Sequence, residues 1–172
     1  MRRRTVGFTL IELLVVVAII MVLIAMLMPA FSAAKQFAKK TKAKADIKQL
    51  DTAWVSVLSD FRTWDKANLP IDDNIIGSVA NSMIATNVNY LQGGNPRQTV
   101  YMDFDTSATN GKGANGSFTD PWYVDSTKTP NNIYGFSLGQ SSVATPQGTI
   151  YRSVASWSLG RDATNSSVVG SW

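Results

Sequence analysis

Neither cysteine nor histidine occurs in the 172 residues. Without cysteine no disulfide can brace the fold, and without either residue the usual zinc sites fall away. Histidine-based acid–base chemistry and Ser-His-Asp triads are excluded on the same ground. There is no Gly-rich phosphate loop and no interleaved aromatic–basic pattern for nucleic acid. The carboxylates form no pair at a catalytic spacing, and Asp72-Asp73 and Asp103/Asp105 read as turn caps or solvated groups. Excess charge is also scarce. The net charge is +4, but three positives are Arg2, Arg3 and Arg4, and without them 13 basic residues face 12 acidic ones. A nucleic-acid partner is therefore not expected, and an enzyme is the least supported class.

What the chain does have is a long apolar run. Residues are 45% hydrophobic, and much of that weight lies between Phe8 and Phe31; the remainder is rich in Asn, Ser, Thr and Gly. Met1 to Gly7 read MRRRTVG, short and basic. Phe8 to Phe31 are 24 residues with a single charge, Glu12. As a helix this run is roughly 36 Å long, enough to span a bilayer. A secretory signal would have a shorter apolar core with small residues after it. A plain signal anchor explains the length and the arginines but not Glu12.

A carboxylate inside an apolar span is costly, and a functional role is the default expectation. The span holds no Lys or Arg to pair with it. Cutting the chain before Phe8 would free an amine, and a neighbouring subunit shifted along an assembly axis could bring that amine to Glu12. A chain does not easily fold its own helix N-terminus onto a side chain one turn further in. Such a pairing would set subunit register, the best-attested use of a buried ion pair.

The string Gly7-Phe8-Thr9-Leu10-Ile11-Glu12-Leu13-Leu14-Val15-Val16 resembles the cleavage and methylation motif of type IV prepilins and type II secretion pseudopilins. The resemblance implies cleavage between Gly7 and Phe8 by prepilin peptidase, methylation of the Phe8 amine, and an assembly role for Glu12. Pro29, which removes one hydrogen bond from a helix interior, sits where pilins commonly bend. Met21 to Pro29 is thus a candidate extensible segment, with a simple bend near the membrane exit as the rival reading.

Lys35, Lys39, Lys40, Lys42, Lys44 and Lys48 follow the span directly. By positive-inside counting they rival the leader. The family topology instead puts the N-terminus in the cytoplasm and the C-terminal domain outside the inner membrane. These lysines read as a solvated helix face, or as lying against lipid headgroups, or as lining a filament.

The helical pattern continues from Ala30 to about Phe61, with Phe37, Ile47, Leu50, Trp54, Val57, Leu58 and Phe61 forming an apolar stripe. Further on, Ile75 to Thr86 reads as a second helix, Tyr90 to Pro96 as a turn, Thr99 to Phe104 as an alternating strand, and Asp105 to Gly116 as an exposed loop. Asp120-Pro121-Trp122-Tyr123, a turn leading into an aromatic strand, resembles the major pseudopilin of type II secretion. Ile133 to Leu138 and Thr149 to Leu159 read as further antiparallel strands. The segment Ser156 to Asp162 resembles that protein's last strand and the loop after it. The resemblance implies calcium there, with the Leu159 carbonyl, Asp162 and Asn165 as ligands. A second Asp that the family supplies is missing, and calcium wants six to eight oxygens.

The expected fold is α+β, pilin-like: a long N-terminal helix packed on a small antiparallel sheet. The expected organisation is leader 1–7, transmembrane helix 8–31, soluble half of the helix 32–66, and C-terminal globular domain 67–172. The expected function is a structural filament subunit, a type II secretion pseudopilin acting in protein export. The expected partners are prepilin peptidase, copies of itself, other pilin-like subunits, inner-membrane lipid and an assembly platform. The alternatives are a type IV pilin of a surface pilus, and a membrane-tethered binding domain that never polymerises.

Overall fold

The computed structural model describes residues 8–64, 67, 69, 81–104, 116–122, 133–139, 142–161 and 167–172. The chain forms two compact units, Met1–Ala38 and Lys39–Trp172. Helix α1 runs from Leu10 to Phe61, with Pro29 inside it. In the first unit every described residue from Phe8 to Phe31 is exposed. This is what an apolar helix looks like when its solvent is lipid or other helices.

In the second unit α1 turns one face inward. Ala43, Ile47, Leu50, Trp54, Val57 and Phe61 are buried, and their alternating steps of four and three hold one stripe along a 3.6-residue helix. The expected stripe was right from Ile47 onward. Phe37 is the exception at 74% exposure, because it belongs to the first unit, where no described hydrophobic side chain is buried. Ala43 and Ala53 complete the face, their small side chains allowing close approach.

The rest of the second unit adds short elements: β1 (Asn81–Ser82), α2 (Ala85–Leu91), β2 (Gly135–Leu138), β3 (Val143–Thr145), β4 (Gly148–Ile150), β5 (Val154–Ser158) and β6 (Val169–Gly170). Four strands form an antiparallel sheet in the order β1-β2-β5-β6, and β3-β4 is a separate hairpin. The α+β class with a long apolar helix and small antiparallel sheets is as expected. Trp54 is the centre of the main core: its ring stacks on Phe136 of β2 at 4.6 Å and on Tyr90 of α2 at 6.1 Å.

Several boundaries differ from the sequence reading. The expected helix over Ile75 to Thr86 begins outside the described residues, and within them Asn81 and Ser82 pair with Phe136 and Gly135 as a strand. The helix starts only at Ala85, because Ile84 is still extended at φ −71 and ψ 168. Tyr90 and Leu91 close that helix, and the turn follows it. Buried Asn95 wires the turn, donating to the Tyr90 and Thr99 carbonyls and accepting from the Arg97 and Thr99 amides. Thr99 to Phe104 makes no strand beyond a bridge between Gln92 and Val100. The amides of Tyr101 and Met102 both go to the Leu91 carbonyl, which ties the segment to the end of α2 instead of a ladder. Met102 and Phe104 are buried, but Val100 is 60% exposed.

Thr149 to Leu159 is two strands, not one. The chain bends at Tyr151–Ser153, sending β4 to β3 and β5 to β2. All five residues of β5 are buried. Val154 joins the main core, while Ala155 and Trp157 face a second small cluster with Val143 and Ile150. Gly135 is required beside this strand, since a Cβ there would stand 2.4 Å from the Trp157 indole. The loop expected over Asp105 to Gly116 lies outside the described residues except for Gly116 at its end, as does the aromatic strand from Tyr123.

Candidate functional site

The candidate residues of the N-terminal motif lie at the start of α1. The helix begins at Leu10, leaving Thr9 as the residue before it. Glu12 is the only glutamate in the chain. Its Oε2 accepts a hydrogen bond from the Thr9 backbone amide at 2.8 Å and another from the Thr9 hydroxyl at 2.6 Å. The Glu12 amide in turn donates to Thr9 Oγ1 at 3.4 Å. This is a capping box: a Thr and a Glu three residues apart satisfy each other's free amides at a helix start. The signal Thr-x-x-Glu is legible in the sequence. In the single chain the Glu12 carboxylate is already held by its own Thr9.

The other residues of the motif stand as follows. Phe8, the first described residue, is 76% exposed. Gly7 lies outside the described residues. Beyond Glu12 the helix presents no charge until Lys35. Pro29 sits in the helix interior without ending it. Having no N–H, it leaves the Ala25 carbonyl without its usual helical donor. The weakest backbone link of the apolar helix is therefore at Ala25–Pro29, inside the segment marked as extensible.

In the second unit, the two stretches carrying the C-terminal resemblance meet. Asp120 is buried; its Oδ1 accepts from the Trp122 amide at 3.0 Å and its Oδ2 from the Ser158 hydroxyl at 2.5 Å. The Ser158 oxygen also accepts from the Gly160 amide at 3.0 Å. Asp120 thus fixes its own turn and docks it on the end of β5. Of the expected calcium ligands, Asp162 and Asn165 lie outside the described residues. The Leu159 carbonyl accepts the Ser167 hydroxyl. Among the described residues no cluster of three carboxylate-type ligands exists.

Two partly buried aspartates of α1 face the sheet side, and Asp46 fastens the helix there. The Tyr134 hydroxyl donates to Asp46 Oδ2 at 2.6 Å. Burial pushes the Asp46 carboxyl above the usual carboxylate range, against the opposing pull of the Tyr134 hydroxyl and Lys42. Burial also raises Asp51, while Ser156, Ser171 and Arg152 beside it pull the other way. Those serines stand close, yet Asp51 Oδ1 meets no donor in hydrogen-bonding geometry, so burial prevails. Asp46 is thus a structural tie between α1 and the residue that leads into β2.

Comparison with known proteins adds one match. Residues 2–28 match the family model described as the prokaryotic N-terminal methylation motif. No curated protein and no solved structure matches the chain. The matched stretch contains Gly7, Phe8, Thr9 and Glu12, and it supports a pilin-like subunit processed by a prepilin peptidase. Together with the exposed apolar helix it supports membrane anchoring through a single N-terminal segment.

Proposed function

We propose that this chain is the structural subunit of a helical filament, and that the filament is the pseudopilus of a type II secretion system acting in protein export. The carrying observation is the methylation motif joined to a helix whose every residue from Leu10 to Phe31 is exposed, with Glu12 as its one charge. A soluble protein would not leave such a face bare.

In this reading the precursor spans the inner membrane with its N-terminus in the cytoplasm. Prepilin peptidase cuts after Gly7 and methylates Phe8. Subunits then leave the bilayer and bury their apolar helices in one another, with the second units tiling the outside. Because lipid tails are as apolar as the helix, packing shape and the Glu12 contact must favour assembly over the bilayer. The methylated amine of a neighbouring Phe8 competes with Thr9 for Glu12, exchanging a hydroxyl and an amide for a full positive charge. Charge-assisted hydrogen bonds are the stronger kind, so the exchange favours the assembled state. The pseudopilus is preferred over a surface pilus because the chain has no cysteine to close its C-terminal region, and because the Asp-Pro-Trp turn is docked on β5 through Ser158.

The test is the intact mass of the chain recovered from its native membrane. Loss of Met1 to Gly7 plus the mass of one methyl group is expected. An intact arginine leader would end the filament reading and leave a tethered domain. Long filaments of this chain on the cell surface would move the assignment to a type IV pilus.

A further inference from the structure

We propose that Asp51 is a proton-operated latch for β6 and the two residues after it. Protonated, its carboxyl leaves this segment closed on β5; ionised, it draws Arg152 off the segment and loosens it. The residues involved all lie in the second unit, and the latch depends on neither the anchor nor the filament reading.

β6 is short: Val169 and Gly170 pair with Ser158 and Trp157 of β5. Hydrogen bonds then hold Ser171 beyond it. The Ser171 amide donates to the Ser156 carbonyl at 3.1 Å, and the Ser156 amide donates to the Ser171 hydroxyl at 3.3 Å. Arg152 Nη1 donates to the Ser171 carbonyl at 2.9 Å. β6 is the outermost strand of its sheet, and all five residues of the neighbouring β5 are buried. Loosening the segment would bare one edge of β5, and an unpaired strand edge is a template for another strand.

Asp51 stands on α1, half-buried, beside Ser156 and Ser171. Its Oδ1 is closed to solvent and meets no donor, and the Ser156 hydroxyl oxygen is likewise buried without a partner. A carboxylate charge on such an oxygen is disfavoured, while the neutral acid is tolerated. Burial accordingly holds the Asp51 carboxyl above the usual carboxylate range. The cation facing it is Arg152, which pulls the other way. Lys48, one turn earlier on α1, lines a groove with Tyr101 and Asp103, and Asp46 is taken by Tyr134. β2, β5 and β6 bring no charged residue. When Asp51 ionises, a carboxylate appears beside Arg152. A guanidinium bonds a carboxylate more strongly than a neutral carbonyl. Turning it to Asp51 takes Nη1 from the Ser171 carbonyl. The closed form is therefore favoured below the ordinary carboxylate pKa and loosens as pH rises through the raised value.

The experiment follows amide hydrogen exchange of the full chain in detergent between about pH 4 and about pH 8, a range that brackets ordinary and raised carboxylates. Rates are corrected for the intrinsic pH dependence of exchange. In wild type, protection of the Ser156 and Ser171 amides should fall about threefold or more across this range, the worth of one ordinary hydrogen bond. Asp51→Asn, which cannot ionise, should keep protection of those two amides level, with circular dichroism showing it folded. Level protection in wild type would overturn the latch whatever the variant does. So would a fall that survives in Asp51→Asn, since another group would then be titrating. A fall of equal size at every protected amide of the second unit, lost throughout in Asp51→Asn, would also overturn it, because Asp51 would then support the whole unit.

Discussion

Within one chain the Glu12 carboxylate has hydrogen-bond donors from Thr9, so its cost inside the apolar span is partly offset before any assembly. This separates two roles. Glutamine can take the same place in a capping box, but it carries no charge for a neighbouring amine. Glu12→Gln is therefore expected to keep cleavage after Gly7 and the helical content of the chain while lowering filament yield as far as Glu12→Leu does. Immunoblots of processing and sheared-filament fractions would check it; normal filament yield from Glu12→Gln would mean that the cap, not the charge, is what assembly needs. Asp46 gives a second prediction. Its pKa is raised in the fold by burial, so the native state holds its proton more tightly than the unfolded chain. Its contribution to stability is fullest below the ordinary carboxylate pKa and is lost as pH rises through the raised value. Asp46→Asn should flatten the stability-versus-pH curve across that window, leaving the slope contributed by Asp51, which is shifted the same way. Denaturant titrations of the full chain in detergent at several pH values would show it.

Helix α1 meets the sheet through Trp54, which is fully buried and stacked on Phe136. Removing a buried indole costs about 3–5 kcal/mol, the loss of transfer energy plus a cavity. Trp54→Ala should therefore take away a large part of a small unit's stability. The Trp54 Nε1 has no hydrogen-bond acceptor, so Trp54→Phe loses no polar partner and keeps an aromatic face for Phe136. It should cost clearly less than Trp54→Ala in chemical denaturation of the full chain, and equal losses would show that ring volume, not stacking, governs the site. The end of α1 has its own cause. Arg62, the residue after the helix, sits at φ 69 while its amide still bonds the Leu58 carbonyl at 2.8 Å. A left-handed residue at this position is a common helix stop, though glycine is the usual choice. Nothing in the side chain of Arg62 announces that stop, which is why the sequence reading carried the helix to residue 66.

For the whole molecule, the early part of the chain was the legible part. A 24-residue apolar run, a lone Glu and a basic leader have local meaning, because whether a helix can enter lipid depends on its own composition and length. The stripe from Ile47 to Phe61 was legible for a similar reason: a period of 3.6 needs only neighbours along the same helix. The Thr9–Glu12 capping box is equally local, four residues carrying the whole signal. The C-terminal half was harder. Its strands are two to five residues long, too short for alternation to stand above chance. The pairing of Asn81 with Phe136 joins segments far apart in the chain. The same holds for Asp120 and Ser158, and for Asp46 and Tyr134. The sequence by itself determined the anchor, the methylation motif, the long helix and the α+β class, since each follows from local composition and period. Only the tertiary structure decided which strands pair, that residues 99–104 join no ladder, and that burial raises Asp46 and Asp51. Those outcomes depend on which distant groups compete for the same backbone partners and the same dry space.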